Sequence, residues 1–282
     1  MTIRQRNIGS VRRVITSCRA RVILLAPVLM VLGVAANPAE AVCPVAVAGF
    51  SPAVLPAAYK TAAVPAGHIS ITFSGHASFF IETPGGASVF TDYNGYVRPP
   101  RIPDAVTMNI SHYTHYTDFV EPEIKYVLRG WDPAGGIARH NFRIKDARIR
   151  NVPTNVTDLG GKLSNENSIF VIEAAELCVA HLSFLRHVLS KGQLRELGRV
   201  DVLLVPIDGM WTMSHQELMQ VIGQIEPALI IPMHYGSGDS VDAFIALASK
   251  LYPIKRQSAN TLIFSLRTLP RKTEVLFLGE GY

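Results

Sequence analysis

The chain has 282 residues, 48% of them hydrophobic and 17% charged, with a formal net charge of +5. That balance excludes a disordered polar chain. The position of the charge also excludes a nucleic-acid-binding domain, because residues 1–41 hold six arginines against Glu40 and the remainder is neutral.

In chain order, residues 1–41 read as a secretory signal peptide. An arginine-rich stretch ends at Arg21, an apolar run covers 22–36, and Ala39-Glu40-Ala41 offers a small-x-small cleavage site. The apolar run is about 15 residues long and contains Pro27, whereas a spanning helix needs roughly 20. An uncleaved anchor is the alternative, and Arg12-Arg13 leaves a twin-arginine signal open. Periplasmic or secreted location follows, with no stable membrane insertion after cleavage near Ala41. Residues 42–67, rich in Ala, Val and Pro, read as an N-terminal arm or linker, and 68–282 as one domain. Cys178 sits in an apolar run and reads as a buried free thiol rather than as half of a bridge to Cys43.

Within the domain, short β-rich runs are expected over 69–73, 78–82, 87–91 and 105–110, with a turn at 83–86. Pro122, its flanking glutamates and Gly130 predict a short helix. Strands are expected near 147–152, 168–173 and 177–180, with a turn-rich loop over 157–167 and a helix over 189–197. Residues 201–206 form a continuous apolar run suited to a strand covered on both faces. Ser214 and Glu217 form a capping box opening a helix through Ile225. A strand over 229–232, a helix over 241–252 and closing strands over 261–266 and 274–278 complete the pattern. Strands in a run, followed by alternating strands and helices, imply an α/β fold of two sheets with helices outside: a four-layer αββα sandwich.

Nine histidines are the natural search space for chemistry, since imidazole binds zinc and titrates near neutrality. His112, His181 and His234 each follow an apolar strand, where open sheets place their sites. There is no G-x-S-x-G, phosphate loop, G-x-G-x-x-G after a strand, or C-x-x-C. These absences argue against a serine hydrolase, nucleotide binding and dithiol chemistry.

Three segments carry a resemblance: 75–82 (GHASFFIE), 201–206 (DVLLVP), and 230–235 (IIPMHY) after the capping-box helix. Together they resemble metal-dependent hydrolases of the metallo-β-lactamase fold, of the ascorbate-phosphate-lactonase-like branch. That family carries an H-x-H-x-D-H signature, which lies here on Ile110-Ser111-His112-Tyr113-Thr114-His115. The first histidine is replaced by Ile110 and the aspartate by Thr114. A further histidine falls at Asn155, and the metal-bridging aspartate at Phe184.

The resemblance implies a metal-activated water attacking an ester, lactone or phosphoester. It places His112, His115 and His234 at the centre of catalysis and metal binding. His181, His187 or Asp118 would complete the ligand set around one zinc ion, with a second ion as the alternative. His76 would orient a ligand from behind or satisfy core groups, and Asp92 would brace the site. Trp131 and Trp211 could line a substrate pocket, while His215 reads as exposed. The partner is a small-molecule substrate. Two rival readings stay open: a non-catalytic, degenerate binding or accessory protein of the same fold, and a signal-anchored envelope protein of unrelated α/β fold.

Overall fold

The computed structural model describes residues 63–157, 163–235 and 238–279. The signal segment, Cys43 and most of the arm lie outside them, as do residues 158–162 of the expected turn-rich loop.

The described residues form two mixed sheets. The first comprises β1 (His68–Gly75), β2 (Ser78–Glu82), β3 (Ser88–Phe90), β4 (Ala105–Met108), β5 (Tyr126–Arg129) and β13 (Thr261–Ser265), in the order β13-β1-β2-β3-β4-β5. The second comprises β6 (Asn141–Ile144), β7 (Ala147–Thr157), β8 (Leu163–Ala174), β9 (Leu177–His181), β10 (Val202–Pro206), β11 (Leu229–Met233), β12 (Ile254–Arg256) and β14 (Glu274–Phe277), in the order β12-β14-β11-β10-β9-β8-β7-β6. Helices α1 (Lys191–Leu197), α2 (His215–Ile225) and α3 (Gly238–Ala248) complete the set.

Strand alternation sorts side chains into layers. Ile69, Ile71, Phe79, Ile81, Phe170, Ile172, Val202 and Leu204 meet between the two sheets. The intervening residues of the second sheet, such as Ile169, Val171, Leu203 and Val205, face outward onto Leu218, Val221 and Ile222 of α2 and Phe244 of α3. The apolar run at β10 is thus buried on both faces, as its composition predicts.

The expected helix after Pro122 is β5, paired parallel to β4. Pro122 and its flanking acids form a turn there, with the Ile124 N–H bonded to the Glu121 carbonyl, and Tyr126-Val127-Leu128 favour the sheet edge. Consequently, among the described residues, the outer face of the first sheet has no helix. Phe80, Phe90 and Met108 are covered instead by Tyr93, Ile124 and Trp131. Trp131 packs edge-on against Tyr116, so it is a core residue and not part of a pocket wall.

Both capping boxes are complete, the predicted one at Ser214/Glu217 and a second at Ser190/Gln193 that opens α1. Cys178 is buried in the helix-side core and is disulfide-bonded, which corrects the free-thiol reading; its partner lies outside the described residues.

Candidate metal centre

Parallel pairing brings the C-terminal ends of β3 and β4 together in the first sheet and, through β10, those of β9, β10 and β11 together in the second. The loops that leave them are where a site belongs. Asp92 follows β3, the 109–121 loop follows β4, Ser183 and Phe184 follow β9, Asp208 follows β10, and His234 follows β11. The tight β1–β2 turn adds His76.

Three imidazoles converge there. Ligand-capable nitrogens of His76, His115 and His234 lie within 4.8 Å of one another. The rings sit 5.0 Å (His76–His115), 4.5 Å (His76–His234) and 5.2 Å (His115–His234) apart. A backbone hydrogen bond from His234 N–H to His76 O ties the turn to the end of β11 at 2.7 Å. Four non-glycine residues at this site take left-handed backbone: His76 (φ 52°), Asp92 (φ 53°), Ser183 (φ 56°) and His234 (φ 54°). Such strain gathers where structure over-determines a functional position.

Two of the rings have a carboxylate behind them. Asp92 Oδ2 lies 2.6 Å from His115 Nδ1, both side chains being fully buried, and 3.9 Å from His76 Nδ1. Asp208 Oδ2 lies 3.0 Å from His234 Nδ1. Asp208 Oδ1 meanwhile accepts the backbone N–H groups of Met210, Trp211 and Thr212. Burial pushes the Asp208 carboxyl up, but the hydrogen bonds from His234, Thr212 and the loop backbone outweigh it and hold it well below the usual carboxylate range.

The donor set fits a cation. His115 Nε2 and His76 Nδ1 are buried without a hydrogen-bond partner, an arrangement that costs about 1–3 kcal/mol per group unless something fills it. Burial, followed by repulsion from His234, depresses His76 to about 4, so it presents a neutral ring and a free lone pair at neutral pH.

The remaining candidates fall outside this triad. His181 is fully buried, donating from Nε2 to Ala77 O (2.7 Å) and accepting at Nδ1 from Asn109 (3.2 Å), so neither nitrogen is left for a metal. His187 accepts the Asn155 N–H at Nε2 and donates from Nδ1 to Val188 O, which likewise occupies both nitrogens. Asp118 is 71% exposed and pairs with Arg129 at 3.6 Å. None of these three joins the converging triad. His112 flanks the triad: its ring lies 5.8 Å from that of His115 and stacks on Phe184, and Nδ1 contacts Thr114 Oγ1 at 2.8 Å. Burial and repulsion from His115 and His234 lower its pKa. His215 is half-buried and reaches Ile207 O at 3.0 Å, so it braces the start of the Asp208 loop rather than standing free.

Phe184 occupies the position of the expected bridging aspartate and closes the site with its ring 5.0 Å from His115 and 6.1 Å from His234. A cavity of about 400 Å³ beside the loop of His112 and His115 is lined by Asn94, Tyr96, Arg98, Tyr113, Tyr116 and Phe119. Trp211 and Met210 stand exposed on the opposite loop, beside Asp208. Sequence reasoning missed Asp208 altogether and placed His76 behind the ligands. The available signal for the former was an Asp-Gly pair directly after a buried strand, where a carboxylate can gather the N–H groups of a turn.

The beta-lactamase superfamily domain matches residues 70–234. Among curated relatives, a UPF0173 protein of Pyrococcus furiosus is 28% identical over 195 residues, covering 62% of this chain and 87% of its own length. The UPF0173 metal-dependent hydrolase of Carboxydothermus hydrogenoformans is 24% identical, covering 60% and 85%. Among solved structures, a Thermotoga maritima protein of the metallo-β-lactamase superfamily superposes with a TM-score of 0.57 at 28% identity, over 75% of this chain and 98% of that one.

Proposed function

The chain belongs to the beta-lactamase superfamily, with the metallo-β-lactamase fold, and from that premise we propose that it is a metal-dependent hydrolase whose ion is held by His76, His115 and His234. The observation that carries this reading is the pair of buried, unpartnered imidazole nitrogens facing His234. An all-nitrogen set of this kind suits a single zinc ion. When bound, such an ion lowers the pKa of a water and polarises the oxygen of the scissile bond.

The chain's own residues have separate tasks. Asp92 and Asp208 hold the His115 and His234 rings by Nδ1. Phe184 excludes water from one side of the triad. His112 is exposed at the mouth with Nδ1 engaged by Thr114, which leaves Nε2 to accept the proton released as the water oxygen bonds to the substrate. That proton then passes to the departing oxygen, balancing hydrolysis of an ester, lactone or phosphoester. The aromatic cavity beside this loop would seat the rest of a small substrate.

The protein acts outside the cytoplasm in this reading. The leader composition supports export, and the disulfide at Cys178 is at home in an oxidising compartment.

Metal analysis of the purified mature protein, joined to a panel of ester, lactone and phosphoester substrates, tests the proposal. One equivalent of transition metal and turnover that collapses in His115→Ala are expected. Absence of bound metal after zinc loading would end the reading. Bound metal with no turnover on any substrate would favour a non-catalytic accessory protein.

A further inference from the structure

We propose that Asp208 is a positioning residue of the metal centre, fixing His234 in the tautomer that can bind an ion and supplying negative charge from behind the ring. The inference rests on the metal-site reading above and assigns a role to a residue that the signature motif does not contain.

The chain has lost both carboxylates expected in front of the metal, one to Thr114 and the other to Phe184. A dication held by three neutral imidazoles alone would carry its full charge inside a buried site, at a large solvation cost. Two buried carboxylates stand directly behind the triad: Asp92 on His115 and Asp208 on His234. Their combined charge of −2 matches one divalent ion. A front-facing carboxylate contributes charge and a bond together; here the charge is delivered through the imidazole ring.

Asp208 is built for this role. Its Oδ1 is fixed by three backbone N–H groups of its own loop, and its Oδ2 by the Thr212 hydroxyl at 2.6 Å. A carboxylate held this way accepts but cannot donate. His234 must therefore carry its proton on Nδ1, toward Asp208, and keep a lone pair on Nε2.

Asp208→Asn separates positioning from loop structure. The asparagine Oδ1 can keep the three backbone N–H bonds. Its amide nitrogen, however, donates where Oδ2 accepted. That moves the His234 proton to Nε2, the nitrogen needed by the ion.

The test is equilibrium zinc titration of the mature protein against a competing chelator, with nitrogen-detected NMR of the histidine rings. The metal-free wild type should show His234 protonated on Nδ1 and should bind one zinc ion. Asp208→Asn should bind zinc about 10–100-fold more weakly, with an unchanged circular dichroism spectrum and the His234 proton on Nε2. Asp118→Ala, at an exposed carboxylate that pairs with Arg129 outside the triad, should bind within about twofold of wild type. If wild type binds zinc and Asp208→Asn binds equally well, the role of Asp208 is overturned while the metal site stands. A wild type that binds no zinc overturns the site and this role with it.

Discussion

The His234 backbone N–H meets the His76 carbonyl oxygen at 2.7 Å, so the turn of the first sheet and a strand end of the second are joined at the point where their imidazoles face each other. The bond fixes the His76 backbone against the end of β11. His76→Ala should weaken zinc binding by more than the roughly 10–100-fold typical of an outer-shell loss, with the fold retained. Chelator-competition titration reads this; affinity within a few-fold of wild type would remove His76 from the ligand set.

Histidines assigned to structure should behave differently. His181→Leu leaves the Ala77 carbonyl without its ring donor, while the Asn109 amide keeps its bond to Ser168 O, and should cost about 1–3 kcal/mol in denaturant unfolding. His187→Ala and Asp118→Ala, by contrast, should leave zinc affinity within about twofold of wild type. A tenfold loss in either would restore that residue to the site.

Phe184 offers a gain-of-binding experiment. Its ring lies 5.9 Å from that of His112 and 5.0 Å from that of His115. Phe184→Asp should lower thermal stability by removing a buried ring, yet tighten zinc binding at least tenfold by returning a carboxylate to the front of the site. Calorimetric titration and a melting curve on the same sample check both signs.

Acid should loosen the metal-free protein before its carboxylates titrate. The His76 pKa falls from 6.5 to about 4 on folding, chiefly through burial and then repulsion from His234. Below 6.5 the unfolded chain takes up a proton that the folded one refuses, so stability drops as pH falls from 7 toward 4. The metal-free Tm should decline over pH 7 to 5. Zinc at pH 7 should raise Tm, since a ligand specific to the folded state stabilises it by mass action. A shallower decline over that interval in His76→Ala would tie its share to this ring, the rest belonging to His112 and His181, whose pKa values burial also lowers.

The disulfide at Cys178 is open to direct mapping. If the proposed leader is removed, Cys43 is the cysteine that remains beside Cys178. Non-reducing peptide mass analysis of the exported protein should recover Cys43 and Cys178 in one linked species. Free Cys43 in the native protein would show that the bridge forms with Cys18, before cleavage.

The strands were legible because burial writes itself into composition: the runs at 69–73, 201–206 and 229–232 are apolar on one or both faces and become β1, β10 and β11. The 122–130 segment misled because Pro122, acids and a closing glycine suit a turn and edge strand as well as a helix. The site was half legible. His234 follows a strand end, so local pattern places it, whereas His115 and Asp92 are placed by the family resemblance. His76 and Asp208 depend on long-range geometry, the meeting of a β1–β2 turn with a β11 end and of a β10 loop with the same imidazole. His181 and His187 carry the right residue type, but what decides their role is whether both ring nitrogens find partners, which only packing reveals.

The left-handed backbone at His76, Asp92, Ser183 and His234 sets this protein's heat resistance against its chemistry. Each non-glycine residue held there costs about 1–3 kcal/mol that glycine would avoid. Selection for survival at high temperature alone would therefore replace these side chains with glycine, and in doing so would erase two ligands and a brace. A screen that couples survival to zinc retention would have to find its stability elsewhere, in the sheets and helices away from this end of the molecule.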